Sequence, residues 1–256
     1  MSRFFVEPSD IDGKYIYVTD KGDLHHMNKV LRLSRGDEAE LSDGNSWEYK
    51  ARLEEPGDEK AVFLILDKQK FTREPRTRVT LYQGIPKGSK MEEIIQKSVE
   101  LGVHSIVPVF MERTVVVDRG NFGKKLTRWQ KISDEAVKQC RRGMIPLIEE
   151  PLRFDRLPEL LDYYDMVLFP YENEENRTIK DALREAVKER DGSSTEEKVK
   201  PLTVAVIIGP EGGFSRKEAD MLTDKKVCKV SLGKTILRTE TAGPASLAMI
   251  MYELEL

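Results

Sequence analysis

Two short segments near the C-terminus combine glycines with charged and hydroxyl side chains. Residues 207–215 are Ile-Ile-Gly-Pro-Glu-Gly-Gly-Phe-Ser, and residues 232–243 are Leu-Gly-Lys-Thr-Ile-Leu-Arg-Thr-Glu-Thr-Ala-Gly. Each segment follows an apolar, strand-like run and precedes a helical pattern. Loops at the ends of parallel strands are where α/β proteins bind small molecules. We therefore expect the two segments to line one pocket.

The first segment has the glycines that a close approach to a ligand requires. Gly212-Gly213 permits positive φ and leaves backbone N–H groups uncovered. Ser215 should cap the following helix, whose positive end would then lie beside the loop. A tight strand-to-helix turn without a ligand is the alternative. The segment lacks the patterns G-x-x-x-x-G-K-[ST] and G-x-G-x-x-G, which disfavours nucleoside triphosphates and dinucleotides as ligands.

The second segment is denser in polar side chains than a structural connection needs. Between Lys234 and Thr241 it holds a lysine, an arginine, a glutamate and three threonines. An ordinary solvated connection remains the alternative to a binding loop.

Composition sets the class of protein. The chain has 256 residues, of which 39% are hydrophobic and 34% charged, with a net charge of −3. No apolar run approaches the roughly 20 residues of a membrane helix, and the N-terminus lacks the apolar stretch of a secretory signal. Cys140 and Cys228 have no CxxC partner, so we interpret them as reduced thiols of a cytoplasmic protein.

Charge is unevenly distributed along the chain. Residues 69–143 contain 16 Lys/Arg and 8 Asp/Glu, a net charge of +8, which leaves −11 for the remainder. A basic middle in an acidic protein indicates a surface for a polyanion such as RNA or DNA. A pair of solvated helices would give the same pattern.

The first quarter of the chain has the pattern of a small β-barrel. Strands are predicted at residues 15–18, 38–42, 47–53 and 61–66, with Asp43-Gly44 as a hairpin turn and a short helix at residues 24–30. Residues 69–77 have the composition of a linker.

Strands and helices alternate in the rest of the chain, which predicts an α/β unit with a mainly parallel sheet. Two S-x-x-E capping boxes, at Ser89 and Ser215, predict helix starts. Residues 190–200 are polar and are expected to form a mobile loop. The predicted strands are 79–82, 105–110, 165–169, 202–208 and 227–232, and the predicted helices begin near residues 89, 124, 178, 215 and 244.

In this order and spacing, the two C-terminal segments resemble the family of 16S ribosomal RNA uridine N3-methyltransferases, which belongs to the knotted SPOUT superfamily. The resemblance extends over nearly the whole chain, through residues 25–37, 86–88, 97–103, 112–113 and 135–142. It implies a mixed fold, α/β in its main domain and α+β overall. A PUA-like RNA-binding β-barrel would occupy residues 1–72, and a SPOUT methyltransferase domain with a deep C-terminal trefoil knot would occupy residues 73–256.

The resemblance also implies S-adenosylmethionine as the cofactor, bound by three loops of the knot. The residues that it assigns to cofactor binding are Leu168, Phe169, Pro170, Gly209, Pro210, Glu211, Gly212, Gly213, Phe214, Leu232, Gly233, Ile236, Leu237, Arg238 and Thr241.

The implied reaction sets a requirement for charged groups. Uridine N3 carries a proton at neutral pH, and its loss leaves negative charge on the base. A carboxylate could take the proton, and a cation or an N–H donor could stabilise the anion. Arg238 is the candidate for stabilising the anion. Glu211 and Glu240 are candidate bases, or else they hold Arg238 and its loop in place. Because N3 lies on the Watson–Crick edge, the uridine must be unpaired or flipped out.

The implied partners are 16S rRNA, in the decoding region of the assembled 30S subunit, and a second copy of the chain. The apolar helix predicted from residue 244 suits a homodimer or burial within one monomer. No metal is expected, since His25 and His26 point apart on a helix and lack a third ligand. Two rival functions remain: the chain could be a ribosome-assembly protein without enzymatic activity, or it could methylate another RNA site. Candidate phosphate contacts are Arg32, Arg35, Lys87, Arg113, Lys124, Lys125, Arg128, Arg141 and Arg142.

Overall fold

The computed structural model describes residues 3–44, 47–71, 74–117, 122–191, 200–223, 225 and 227–255. The chain divides into two compact units. The first comprises Met1–Glu74 and Val137–Ile145, and the second comprises Pro75–Ala136 and Pro146–Leu256. In the described ranges, no helix is both long enough and apolar enough to cross a membrane.

The first unit is built on a six-stranded, curled sheet with the order β1-β4-β5-β6-β3-β2. β1 pairs with β4 in parallel, and the other neighbours are antiparallel. Register shifts in the β5–β6 ladder bend these two long strands. The strands are β1 (Arg3–Phe5), β2 (Ile11–Asp12), β3 (Tyr15–Val18), β4 (Glu38–Ser42), β5 (Trp47–Glu55) and β6 (Ala61–Lys70), with a 3₁₀ turn at Pro8–Asp10.

Alternation of apolar and polar side chains places the core of the first unit on one face of the sheet. Phe4, Ile16, Leu41 and Phe63 are fully buried there. The predicted Asp43-Gly44 hairpin is confirmed, since β4 and β5 pair on either side of it. The predicted helix at residues 24–30 is longer than expected: α1 (Lys21–His25) continues into a π-helical turn, His26–Leu31.

The boundary between the two units, at Glu74 and Pro75, falls within the segment predicted as a linker, residues 69–77. β6 runs to Lys70, and the Glu74 carboxylate accepts hydrogen bonds from the Arg142 guanidinium and from the backbone N–H groups of Gly143 and Met144. Nothing in this charged, proline-containing sequence indicates that Glu74 has a partner 68 residues away.

The second unit contains a parallel sheet with the order β10-β8-β7-β12-β11-β13, and β9 pairs with β8. Every described ladder in it is parallel, as the continuous apolar run of β12 predicts. The strands are β7 (Arg78–Gly84), β8 (Ser105–Phe110), β9 (Leu147–Ile148), β10 (Leu152–Arg153), β11 (Met166–Pro170), β12 (Thr203–Ile208) and β13 (Cys228–Val230). The helices are α2 (Lys90–Glu100), α3 (Phe122–Cys140), α4 (Leu157–Leu160), α5 (Ile179–Asp191), α6 (Arg216–Thr223) and α7 (Thr239–Glu255), with 3₁₀ turns at Phe154–Arg156 and Leu161–Tyr163.

The two predicted capping boxes have different outcomes. The Ser215 N–H donates to Glu218 Oε2 at 2.8 Å and the Glu218 N–H donates to Ser215 Oγ at 3.2 Å, which confirms the second box. Ser89 precedes α2 but makes no side-chain cap, and Glu92 instead accepts a hydrogen bond from Arg128 at 2.8 Å. The first box was therefore wrong because a cation on another helix takes its carboxylate.

The last helix begins earlier than predicted. α7 starts at Thr239, five residues before Pro244, so the end of the second polar segment forms its first turn. A proline is unfavourable in a helix interior, where its ring displaces the hydrogen bond to the preceding turn. That preference placed the predicted start too late.

The predicted mixed α/β fold is confirmed, with a curled N-terminal sheet where a barrel was predicted and a parallel sheet in the second unit. Among the described strands of the first unit, no ladder joins the edge strands β1 and β2 to close a barrel. The trefoil knot stays a prediction. The loop expected to be mobile, residues 190–200, falls mainly on 192–199, outside the described residues.

Candidate active site

A cleft of about 480 Å³ opens in the second unit where three adjacent strands end. β12 leads into residues 209–214, β13 leads into residues 231–238, and β11 leads into Tyr171 and Glu172. Carboxyl ends of neighbouring parallel strands are the usual location of a ligand in an open α/β sheet. The lining residues are Lys90, Pro170, Tyr171, Glu172, Ile208, Gly209, Pro210, Glu211, Gly213, Phe214, Ser231, Leu232, Gly233, Lys234, Thr235, Ile236, Leu237, Arg238, Thr239, Glu240 and Ala242.

The first glycine segment is fixed by its neighbours on both sides. Gly213 adopts a φ of +66°, which a glycine permits, whereas Gly212 does not adopt a positive φ. The Gly212 carbonyl instead accepts a hydrogen bond from Arg113 Nη1 at 2.7 Å. The buried Glu218 carboxylate, in addition to its cap, accepts the Glu112 N–H at 2.7 Å. The loop is therefore held by the chain that follows β8 as well as by α6.

A buried chain of hydrogen bonds ties this loop to β7 and to the start of α7. Gln83 Nε2 donates to Thr239 Oγ1 at 2.9 Å, and Thr239 Oγ1 donates to the Gly209 carbonyl at 2.6 Å. A Cβ added at Gly84 would lie 2.5 Å from the Pro210 nitrogen, so β7 packs against the loop without space for a side chain. Three segments distant in sequence thus share one rigid contact.

Charged side chains meet at the edge of the cleft. Lys90 Nζ lies 3.1 Å from Glu211 Oε1 and 3.3 Å from Glu240 Oε2. Its pairing with Glu211, and secondly with Glu240, raises the pKa of the Lys90 ammonium above its ordinary value. Arg238 Nη1 lies 3.9 Å from Glu240 Oε1, and the Arg238 side chain is 84% exposed. The guanidinium is therefore free to reach a ligand at the mouth of the cleft.

The two carboxylates have different surroundings. Burial alone would raise the pKa of the Glu211 carboxyl, but hydrogen bonds from its own and the Lys87 backbone N–H, together with the Lys90 ammonium, hold the pKa below its ordinary value. Glu240 lies in the first turn of α7, and its Oε2 is buried without a hydrogen-bond partner despite its proximity to Lys90.

β11 contributes the third predicted loop. Leu168 and Phe169 are buried inside β11 and do not line the cleft, whereas Pro170 does. The Phe169 ring packs edge-on against Phe214, with ring centroids 4.7 Å apart. Cofactor contacts of Leu168 and Phe169 stay a prediction.

The structure brings most of the predicted site residues together. Those at the cleft are Pro170, Gly209, Pro210, Glu211, Gly213, Phe214, Leu232, Gly233, Ile236, Leu237, Arg238 and Glu240. Those away from its lining are Leu168, Phe169, Gly212 and Thr241. Lys90, Tyr171, Glu172 and Ser231 line it although they lie outside the two segments and were not predicted. Tyr171 directly follows Pro170, so its position at a strand end could have indicated it, whereas Lys90 carries no local signal.

Most of the predicted phosphate contacts are exposed. Arg32, Arg35 and Arg141 lie in the first unit, and Lys87, Arg113, Lys124, Lys125 and Arg128 lie in the second. Arg142 was also predicted to contact phosphate, but its side chain is only 6% exposed and pairs with Glu74 at 2.8 Å. Removing this guanidinium from its buried partner to reach a phosphate would leave an uncompensated charge. Arg142 is therefore a structural residue of the first unit.

Comparisons with known proteins agree with this geometry. Residues 72–251 match the model of an RNA methyltransferase domain, and residues 18–67 match that of an RNA methyltransferase PUA domain. The chain is 30% identical to the ribosomal RNA small subunit methyltransferase E of Bacillus subtilis (strain 168), over 100% of this chain and 98% of the relative. It is 31% identical to the protein of the same name from Synechocystis sp., over 99% of this chain and 78% of that one.

A solved structure is similar over the same length. The crystal structure of a ribosomal RNA small subunit methyltransferase E from Neisseria gonorrhoeae, bound to S-adenosyl methionine, superimposes with a TM-score of 0.79 at 28% identity. The alignment covers 98% of this chain and 97% of that chain.

Proposed function

The chain belongs to the ribosomal RNA small subunit methyltransferase E family, and from that membership we propose that it transfers a methyl group from S-adenosylmethionine to N3 of a specific uridine in 16S rRNA. The proposed substrate is the decoding region of the assembled 30S subunit. The observation that carries the proposal is the cleft at the ends of β11, β12 and β13, where Arg238 and two carboxylates meet.

The lining of the cleft fits this cofactor. Apolar side chains such as Phe214 and Leu237 suit a purine ring, and backbone groups of the two loops suit its polar edge. Gly213 and Gly233 have positive φ and open space where a Cβ would stand, so a ligand can approach their backbone closely. When bound, S-adenosylmethionine supplies a methyl group on a sulfonium, a carbon already activated for displacement.

The chain's own residues must prepare the nucleophile. Removing the N3 proton leaves an anion shared with the uridine carbonyl oxygens, and the exposed Arg238 guanidinium can donate to such a planar, delocalised group. Glu211 and Glu240 are the carboxylates within reach of the same edge of the cleft. Aligning the base with the methyl group contributes further, because orientation alone lowers the barrier of a displacement.

The proposed RNA surface joins exposed basic side chains within the second unit. Lys124, Lys125 and Arg128 are exposed on α3, and the 68% exposed Arg128 side chain pairs with Glu92 at 2.8 Å. Reversing the charge of all three should weaken RNA binding and flatten its salt dependence, because fewer counterions are released. A slope of log affinity against log salt equal to the wild-type value would remove α3 from the RNA surface.

We further propose that the chain works in the cytoplasm as a homodimer, with a PUA-like domain over residues 1–72 and a knotted SPOUT domain over residues 73–256. The exposed Ile236 and Tyr252 side chains, 78% and 70% exposed, support a partner surface in the second unit. Sedimentation at micromolar concentration tests the dimer, and a monomer across that range would contradict it.

A methylation assay tests the function directly. The purified chain is incubated with S-adenosylmethionine and either naked 16S transcript or assembled small subunits, and the product is mapped by mass spectrometry. We expect a single N3-methyluridine, formed preferentially on the assembled subunit. Binding of S-adenosylmethionine without any methylated uridine would favour another RNA site or a non-enzymatic role in assembly.

Arg238→Ala tests the role of the guanidinium. Methyl transfer should fall on the order of 100-fold, the usual effect of removing one charged donor from a developing anion. Cofactor affinity should change much less, because the side chain is exposed at the mouth of the cleft. Full turnover with normal cofactor affinity would exclude Arg238 from anion stabilisation.

A further inference from the structure

Lys90 links two segments that reach the cleft from different strands. It is the first residue of α2, and its ammonium lies within 3.3 Å of both Glu211, in the loop after β12, and Glu240, in the first turn of α7. The Lys90 side chain is 34% exposed, so the contact is sheltered by the cleft. An ammonium has three donors and can serve both carboxylates at once.

The hydrogen bonding of the two carboxylates is unequal. Glu211 Oε1 accepts the Lys87 N–H at 3.0 Å as well as the Lys90 pair, which anchors it to the chain between β7 and α2. Glu240 Oε2 has Lys90 Nζ at 3.3 Å and no further donor, and Arg238 Nη1 is 3.9 Å from Oε1. A carboxylate held by one long contact to an ammonium keeps open lone pairs for a proton.

We infer that Lys90 is a positioning residue that gives the two carboxylates different roles: it fixes Glu211 as part of the loop and orients Glu240 to take the N3 proton of the uridine. This inference rests on the proposed function. Glu240 accepts the proton while the N3 electron pair forms the bond to the methyl carbon and the electrons of the broken C–S bond stay on sulfur. Glu240 then releases the proton to solvent.

The charges at this edge explain why a lysine is needed. Two carboxylates with no cation between them would repel each other and oppose a third negative charge on the uridine. The charged groups that face Lys90 are Glu211 and Glu240, with Arg238 beyond Glu240. Neutralising Lys90 therefore changes the position of Glu240 and the electrostatics of the deprotonated base together.

Lys90→Met in the full chain separates this role from a structural one. We expect kcat for methyl transfer to fall about 10- to 100-fold, as for a misaligned catalytic group, with little change in the calorimetric Kd for S-adenosylmethionine. In Lys90→Met, the Glu211 carboxyl, followed by ¹³C NMR, should titrate at a higher pH than in the wild-type protein. Lys90→Arg should restore part of kcat. Glu240→Gln should lose on the order of 100-fold in kcat, and Glu211→Gln should lose less.

Lys97→Met is the matched control, because Lys97 lies on the same helix and pairs with Glu100 at 3.1 Å away from the cleft. Should Lys90→Met not fold, Lys90→Gln replaces it. A neutral variant with wild-type kcat and an unmoved Glu211 titration would overturn the inference, as would a larger loss in Glu211→Gln than in Glu240→Gln. If the wild-type chain methylates no uridine, the proposed function fails, and the Glu211 titration still decides whether Lys90 fixes that carboxylate.

Discussion

Gly84→Ala should disturb the cleft from the side of the sheet, without touching a charged residue. Gly84 ends β7, and a Cβ built there would lie 2.5 Å from the Pro210 nitrogen, 2.6 Å from Pro210 Cδ and 2.8 Å from the Gly209 carbonyl carbon. Nonbonded carbon atoms sit at about 3.5–4.0 Å. The methyl group can therefore fit only if residues 209–210 and β7 move apart by about 1 Å.

The free energy of that displacement can be bounded. Inserting one methyl group into close-packed structure costs about 1–3 kcal/mol, and the neighbour here is backbone tied by Thr239 to Gln83, so it cannot simply rotate away. For a unit of this size, 1 kcal/mol lowers Tm by about 2–4 °C. If the strain is relieved by moving the loop, the cofactor cleft that the loop lines changes shape. A loss of about 1.4 kcal/mol in the binding free energy would then raise the cofactor Kd tenfold.

Thermal unfolding and calorimetry with S-adenosylmethionine measure both effects. Gly123→Ala is the control, because Gly123 lies in α3 without a positive φ, and a Cβ added there would have nothing within 4 Å. Alanine there should be neutral or stabilising by up to about 1 kcal/mol. A Gly84→Ala protein with unchanged Tm and unchanged Kd would refute the argument that β7 and the loop are in rigid contact.

Three other predictions concern the interactions around the cleft and in the first unit. Thr239→Val removes the hydroxyl between Gln83 and the Gly209 carbonyl and should cost about 1–3 kcal/mol in urea unfolding; an unchanged midpoint would mean that these buried groups find other partners. Glu74→Gln should cost about 3 kcal/mol by removing the carboxylate that pairs with the buried Arg142 guanidinium, whereas Glu92→Gln, which breaks the exposed Arg128 pair, should cost less than about 1 kcal/mol. Folding lowers the pKa of the Glu211 carboxyl, so its ionised form stabilises the protein above the ordinary carboxyl pKa, and this stabilisation is lost as pH falls through the folded-state pKa. Urea midpoints measured from pH 7 to pH 3 should therefore fall less steeply in Glu211→Gln than in the wild-type protein. Identical slopes in the two proteins would contradict this.

The sequence by itself determined the elements whose evidence is local. Periodicity and short-range spacing predict the strands β8 and β12 and the Ser215 capping box. The structure has all three where they were predicted. Spacing also placed two polar segments at strand ends, and parallel pairing of β11 with β12 and β13 then brought those ends together. Strand-end position is a consequence of chain order, so it can be seen before any contact is known.

Only the tertiary structure decided which charged side chains pair. Lys90 reaches Glu211 and Glu240 across more than 100 residues of sequence, Glu92 pairs with Arg128 and not with its predicted cap, and the buried Arg142 pairs with Glu74. Each of these pairs joins residues that are distant in sequence. Ion pairs carry no periodicity, and their free energy depends on burial and distance, which exist only once the chain has folded.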